Sequence, residues 1–232
     1  MAAMNTSEPA RESGAVNTRV VLRPYGSALP LGLLSFAVGM VLVAGIGLQW
    51  ISGSDVATAG LVMVVFVFPL QGIATVFAFL SRDVGVATVL GLFSTSWIAT
   101  GLTHVLSPPG STSTAIGLFL LAFALVLVAP AVAAAPLRPL LAVMLGVSII
   151  RAVLAALYQL TGAPWWSHAE GITALILAGI AVYNGAAFLL EDARQHPVLP
   201  TTRLGSAYRA LHGNMTEQIA RTPNEAGVRQ QL

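Results

Sequence analysis

The sequence contains no cysteine and no lysine, and only 9% of its 232 residues are charged. The missing cysteines exclude disulfides and thiolate metal sites. The missing lysines leave arginine as the side chain that supplies permanent positive charge. A soluble domain carries about 25% charged residues, which keep its surface hydrated. So few charged residues cannot cover the surface of a water-soluble fold of this length.

Apolar residues take the place of charge, making up 56% of the chain and falling into six long blocks. A helix needs about 20 apolar residues to cross the hydrocarbon layer of a bilayer. We therefore predict an all-α, polytopic membrane protein with six transmembrane helices in contact with membrane lipids. The predicted spans are 29–50, 57–80, 84–106, 115–135, 140–160 and 167–190. The predicted domains are an N-terminal tail (1–28), a transmembrane domain (29–191) and a C-terminal tail (192–232).

The placement of arginine predicts the orientation of the chain. Both tails, and the links after the second and fourth spans, contain arginine, whereas the other three links contain none. Because positively charged segments stay on the cytoplasmic side, we expect both termini in the cytoplasm. The N-terminal tail lacks the pattern of a cleavable signal peptide, so we expect it to be retained. The preference for arginine, alanine, glycine and valine is typical of a GC-rich bacterial genome and indicates a bacterial cytoplasmic membrane.

Motifs typical of nucleotide-binding proteins, zinc proteins and hydrolytic enzymes are missing from the sequence. There is no Walker loop, zinc-ligand spacing or dinucleotide fingerprint, and no pairing of a nucleophile with a base. We therefore expect no enzyme activity, catalytic residue, metal, cofactor or nucleic-acid partner.

Arg151 is the most unusual residue because it falls near the middle of the fifth span. A charge at that depth costs about 2.5–3.5 kcal/mol even on the lenient insertion scale. Two hypotheses stay open. The cation attracts an anionic solute in a water-filled path, or it is neutralised by Glu170, Gln159, helix carbonyls or a neighbouring protomer.

Polar residues in other spans allow similar pairs of hypotheses. Gln71, just after Pro69, either binds a solute carboxylate or makes a hydrogen bond between helices. Asn184 in the sixth span follows the same reasoning. The hydroxyls of the third span, including Thr88 and Thr95, either line a pore or bond to their own helix.

Titratable residues near the predicted outer interface are also ambiguous. His168 and Glu170 form either a protonatable vestibule or a hydrated interfacial pair. His104 and Asp55 are interpreted as solvated residues of loops or interfaces.

Several stretches resemble the acetate uptake transporter family, which includes acetate–succinate permeases. Leu29-Pro30-Leu31-Gly32-Leu33 resembles the family's first-span signature. Further matches in the same register are Gln71, Thr88, Trp97, Tyr183 and Val198-Leu199-Pro200. The resemblance covers the chain from about residue 29 to residue 200.

This resemblance implies a homo-hexamer in which each protomer conducts small monocarboxylates, including acetate and in some members succinate, linked to protons. By register, Phe36, Phe93 and Val147 fall on the family's constriction. Gln71 and Thr88 would then donate hydrogen bonds to the carboxylate of the anion or its acid, and Arg151 would raise the local anion concentration.

The chain also departs from the family pattern. Ser27-Ala28 replaces Asn-Pro, Ala78 replaces a glutamate, and Phe93 replaces a tyrosine. Arg151 has an apolar counterpart. Two alternatives to monocarboxylate transport therefore remain: a channel for neutral solutes such as ammonia or urea, and a membrane scaffold or sensor that does not transport.

Overall fold

The structure, a computed structural model, describes residues 25–194, 196–205 and 208. Helices and short links form this part of the chain, with no strand within it. The six helices are α1 (Leu29–Gly47), α2 (Asp55–Leu80), α3 (Val84–Leu106), α4 (Thr114–Ala134), α5 (Pro139–Thr161) and α6 (Pro164–Arg194). Each is long and apolar enough to cross a membrane, which confirms the predicted polytopic all-α fold. Most of the two predicted tails lies outside the described residues.

Local side-chain chemistry sets several helix ends. The Asp83 carboxylate accepts a hydrogen bond from the Val86 amide at 3.2 Å and so caps the start of α3. Ser113 caps α4 in the same way through the Ile116 amide, at 3.5 Å. Such caps satisfy amides that lack a partner within the helix. The observed α3 accordingly has the predicted bounds, 84–106.

Helix α6 is longer at both ends than the predicted span 167–190. It begins at Pro164, a residue type favoured in the first helical position, so Trp165 and Trp166 lie in its first turn rather than in a link. It continues past Glu191 to Arg194. The prediction stopped where the apolar residues stop, but helical hydrogen bonding can continue into the polar region beyond the hydrocarbon layer.

Helix α2 contains a π-helical turn at Met63–Val67, between α-helical segments Asp55–Val62 and Phe68–Leu80. The turn ends two residues before Pro69, which has no amide hydrogen and so leaves a carbonyl one turn earlier without its helical hydrogen bond. π turns of this kind occur frequently at functional sites. Here the turn lies shortly before Gln71, the polar residue singled out in this span.

The helices run in alternating directions, so the bundle has two ends that we name by their residues. At the tryptophan end, α1 finishes and α6 begins with Trp165 and Trp166. At the arginine end, α1 begins and α6 finishes at Arg194. Helix α1 is the most buried of the six and packs against α6 along much of its length. The core of the protomer therefore surrounds α1.

Two pairs of glycines bring helix backbones into direct contact. A Cβ atom added to Gly47 would lie 2.7 Å from the Ser167 carbonyl oxygen and 2.9 Å from the Gly171 Cα atom. A Cβ atom on Gly60 would lie 2.6 Å from the Gly101 carbonyl oxygen. Small residues allow such close approach between membrane helices. The first contact joins α1 to α6 beside Glu170 and so fixes the position of that carboxylate.

Substitution of Gly47 by alanine should therefore destabilise the protein. The added methyl group meets backbone atoms that cannot move aside, and overpacking of this kind costs about 1–3 kcal/mol. A matched control is Gly179→Ala in α6, where an added Cβ would meet nothing within 4 Å. Thermal unfolding in detergent should show a lower midpoint for Gly47→Ala alone. Equal midpoints for the two variants would contradict the close contact.

Candidate functional site

Three cavities follow one another through the bundle. A recess of about 600 Å³ lies at the tryptophan end, a central cavity of about 80 Å³ follows it, and a small cavity of about 10 Å³ lies toward the arginine end. The residues that line both the recess and the central cavity are Ile46, Thr103, His104, Tyr158, Gln159 and Ser167. Phe93 lines both the central and the small cavity. The three spaces therefore form a row along the protomer.

Aromatic rings separate the central cavity from the small one. The ring centroids of Phe36 and Phe93 lie 4.8 Å apart at an interplanar angle of 70°. Phe93 also packs edge-on against Phe123 at 5.4 Å, and Phe36 against Trp97 at 6.0 Å. We call these four residues the aromatic barrier. Edge-to-face packing is favourable between such rings, so the barrier is a packed aromatic cluster between the two cavities.

Gln71 joins three helices behind the barrier. Its side-chain nitrogen donates to the Gly32 carbonyl of α1 at 3.1 Å. Its side-chain oxygen accepts from the Trp97 indole nitrogen of α3 at 2.7 Å. The residue is 1% exposed and lines the small cavity. The hypothesis of a hydrogen bond between helices is therefore correct, and the amide retains one N–H that these bonds do not use.

Arg151 and Glu170 form an ion pair on the wall of the central cavity. Arg151 Nη1 donates to Glu170 Oε1 at 2.7 Å, and the two side chains are 9% and 15% exposed. Arg151 Nε is buried and has no hydrogen-bond partner among the described residues. Of the sequence-based hypotheses for Arg151, neutralisation by Glu170 is observed. The pair nevertheless faces the cavity, so neutralisation and contact with a solute are compatible.

Hydroxyl and amide groups complete the polar wall of the central cavity. The Ser96 hydroxyl donates to the Phe93 carbonyl and the Thr100 hydroxyl to the Ser96 carbonyl, both within α3. The Gln159 side-chain oxygen is bound by the Ser113 amide at 2.8 Å. Because these hydroxyl groups donate their hydrogens to the helix backbone, a solute in the cavity would meet their oxygen atoms as hydrogen-bond acceptors.

The remaining predicted site residues lie away from these cavities. Thr88 is exposed on the bundle surface, and its hydroxyl donates to the Val84 carbonyl at 2.8 Å. Val147 is partly buried against the main core. Neither belongs to the linings described above, so their places in a solute path stay predictions. His168 is exposed at the tryptophan end, with a ring nitrogen 3.0 Å from the Pro164 carbonyl oxygen.

The site contains residues, among them His104 and Phe123, that the sequence did not indicate. His104 was interpreted as a solvated residue, but it lies inside α3 and lines both the recess and the central cavity. Phe123 was not singled out at all. Its only sequence signal is the spacing of four residues from Phe119, which places both rings on one helix face; that spacing is equally typical of a core residue.

A C-terminal strap, residues 198–205, closes against the arginine end. The Leu204 amide donates to the Leu137 carbonyl at 3.0 Å, and Arg203 pairs with Glu191 at 2.7 Å. The Tyr183 hydroxyl donates to the Pro200 carbonyl at 3.0 Å. Tyr183 and Pro200 are both positions that carry the family resemblance. The strap is therefore part of the folded bundle.

A search of solved structures finds a chain described as the bacterial acetate channel SatP. The TM-score is 0.67, the sequence identity is 16%, and the match covers 76% of this chain and 99% of that one. The two chains share one fold. No protein-family model matches the sequence, and no curated protein matches it. The likeness extends over nearly the whole of the channel, and it is a likeness of fold.

Proposed function

We propose that this chain belongs to the acetate uptake transporter family and carries acetate-like small monocarboxylates, together with succinate, across the bacterial cytoplasmic membrane. The observation that carries the proposal is the row of three cavities inside a protomer with the fold of an acetate channel. The central cavity offers an arginine to a carboxylate, and the aromatic barrier offers an apolar surface to a methyl group. A small amphiphilic acid matches both.

The proposed roles of Phe36, Phe93, Gln71 and Arg151 follow from their places in the row, and those of Val147 and Thr88 follow from the family resemblance. Phe36 and Phe93 narrow the path, and Val147 supports the constriction from α5. Gln71 offers its unused N–H to the solute at the small cavity. Arg151 holds the carboxylate in the central cavity. Thr88 is proposed from the family resemblance alone as a hydrogen-bonding residue of the path, because it lies outside the three cavity linings.

We further propose a homo-hexamer, with both termini in the cytoplasm and uptake linked to protons. Large apolar side chains are exposed along one face of α4, at Leu118, Leu125 and Val132. This stripe suits lipid tails or a neighbouring copy of the chain equally. Native mass spectrometry of the solubilised protein separates a six-chain particle from a single chain, and a single chain would exclude the hexamer.

Labelled acetate flux into proteoliposomes tests the proposed function. The expected result is uptake above that of protein-free liposomes, reduced by unlabelled lactate or succinate but not by urea or ammonium. Protein-free liposomes are needed because undissociated acetic acid crosses bilayers unaided. Uptake no faster than in those liposomes, with no competition, would exclude the proposal.

A channel for neutral solutes is the second candidate, because the ion pair leaves the wall of the central cavity without net charge. Under this alternative, urea or ammonia should enter as readily as acetate. Urea entry that is faster than the protein-dependent uptake of acetate in the same vesicles would favour the channel for neutral solutes.

A further inference from the structure

On the wall of the central cavity, Arg151 is in contact with the carboxylate of Glu170, which is the same chemical group that the proposed solute carries. Arg151 Nη1 and Glu170 Oε1 are 2.7 Å apart, and both residues line the cavity. Arg151 is 7% exposed, and its Nε atom is buried with no hydrogen-bond partner in the part of the chain that the structure describes. The guanidinium therefore has a donor that Glu170 does not use.

Charge balance limits what this pair can accept. A solute carboxylate that reaches Arg151 meets a site already occupied by the Glu170 carboxylate. Two carboxylates beside one guanidinium leave an uncompensated negative charge in a low-dielectric cavity, which is strongly unfavourable. One proton removes that charge, because a protonated carboxyl is neutral and becomes a hydrogen-bond donor.

We propose that Arg151 and Glu170 together form a binding site for one carboxylic acid, an inference that rests on the proposed monocarboxylate function. The Arg151–Glu170 contact opens, and the solute carboxylate forms the ion pair with Arg151. The proton that accompanies the acid, from the acid itself or from the buffered solvent through the recess, adds to Glu170. One cation and one carboxylate remain in contact before and after binding, so the cavity stays neutral.

The groups around Glu170 leave few other acceptors for that proton. Helix α1, which packs along α6, contains no titratable side chain. Helix α5 contributes Arg151 and Tyr158. His104 of α3 lines the same cavity, and His168 of α6 is exposed outside it. Glu170 is the one carboxyl group in the lining of the central cavity, and His104 is the alternative acceptor that an experiment must exclude.

Acetate binding to the purified full-length protein tests the proposal through its proton count. Calorimetric titrations in two buffers of different ionisation enthalpy, over a pH series around neutrality, give the protons taken up with each acetate. The wild-type protein should take up about one proton per acetate, so its apparent affinity should fall about tenfold per unit rise in pH. Glu170→Gln should bind acetate without proton uptake, with an affinity independent of pH. His104→Gln tests the alternative acceptor: whatever its affinity for acetate, this variant should still take up about one proton per acetate.

The outcomes separate this inference from the proposed function. Wild-type binding of acetate without proton uptake would overturn the role of the pair and leave the proposed function standing. Unchanged proton uptake in Glu170→Gln, or its loss in His104→Gln alone, would also overturn it. A wild-type protein that binds no acetate would remove both proposals. If Glu170→Gln fails to fold, the proton count of His104→Gln still separates the two acceptors. The paired variant Arg151→Leu/Glu170→Leu, which removes both charges of the pair, should fold and bind no acetate.

Discussion

Replacement of Arg151 by leucine should abolish acetate uptake and destabilise the protein by about 3–5 kcal/mol. The loss of stability is expected because Glu170, 15% exposed, would keep its carboxylate without a cation. The loss of uptake is expected because no other arginine lines the central cavity within the described part of the chain. Thermal unfolding in detergent and labelled acetate flux measure the two effects separately.

The paired variant Arg151→Leu/Glu170→Leu distinguishes a structural role from a solute-binding role. Apolar replacement of a whole buried ion pair is often neutral or stabilising, so stability should return while uptake stays absent. Arg138→Leu is the matched control for charge removal. It breaks the Asp83 pair, in which both side chains are 32% exposed, and such pairs contribute about 0–1 kcal/mol. Uptake at the wild-type rate by the paired variant would remove Arg151 from the transport mechanism.

Truncation of Phe93 to alanine should open the aromatic barrier and reduce selectivity for acetate over succinate by about tenfold or more. Phe93 is the residue shared by the linings of the central and small cavities, so removing its ring should join them. Apolar pockets discriminate between solutes by size with factors of about 10–200. The loss of a buried ring also costs about 3–5 kcal/mol of stability. Parallel flux measurements with labelled acetate and labelled succinate give the selectivity.

Phe119→Ala is the control for this experiment. Phe119 packs against Phe123 with ring centroids 6.0 Å apart, but it does not belong to the cavity linings described above. Its truncation should lower stability without changing the ratio of acetate to succinate flux. If both truncations change selectivity equally, the effect comes from a loosened core rather than from an opened barrier.

The sequence predicted the helices well because bilayer thickness and local end signals act on each span independently. Asp83 at the start of α3, and proline shortly after its end, allowed its bounds to be predicted correctly. The ends of α6 were wrong because the prediction followed hydropathy, whereas hydrogen bonding carries the helix from Pro164 to Arg194. The π turn of α2 was not predicted, because packing against the neighbouring helices decides which turn of α2 becomes π-helical.

The site was harder to predict because it depends on how each helix is rotated about its axis. The contact between Phe36 and Phe93 agrees with the family register. Thr88 carries an equally good match, yet its helix turns it to the surface. Glu170 was one of several partners predicted for Arg151, and the packing of α5 against α6 brings their side chains to 2.7 Å. Glycines such as Gly47 indicate close helix contacts, but sequence spacing does not specify how far α5 and α6 are rotated toward each other.

The contacts of the strap determine where the C-terminal region can be truncated or fused without breaking the folded bundle. A deletion that starts at residue 192, the predicted tail boundary, would remove the Arg203 ion pair and the backbone bond to Leu137 together with the tail. Lost activity would then not show that the tail binds a signalling partner. Deletions and reporter fusions placed after residue 205 leave these bonds in place. They are therefore the appropriate way to test whether the protein is a scaffold or sensor.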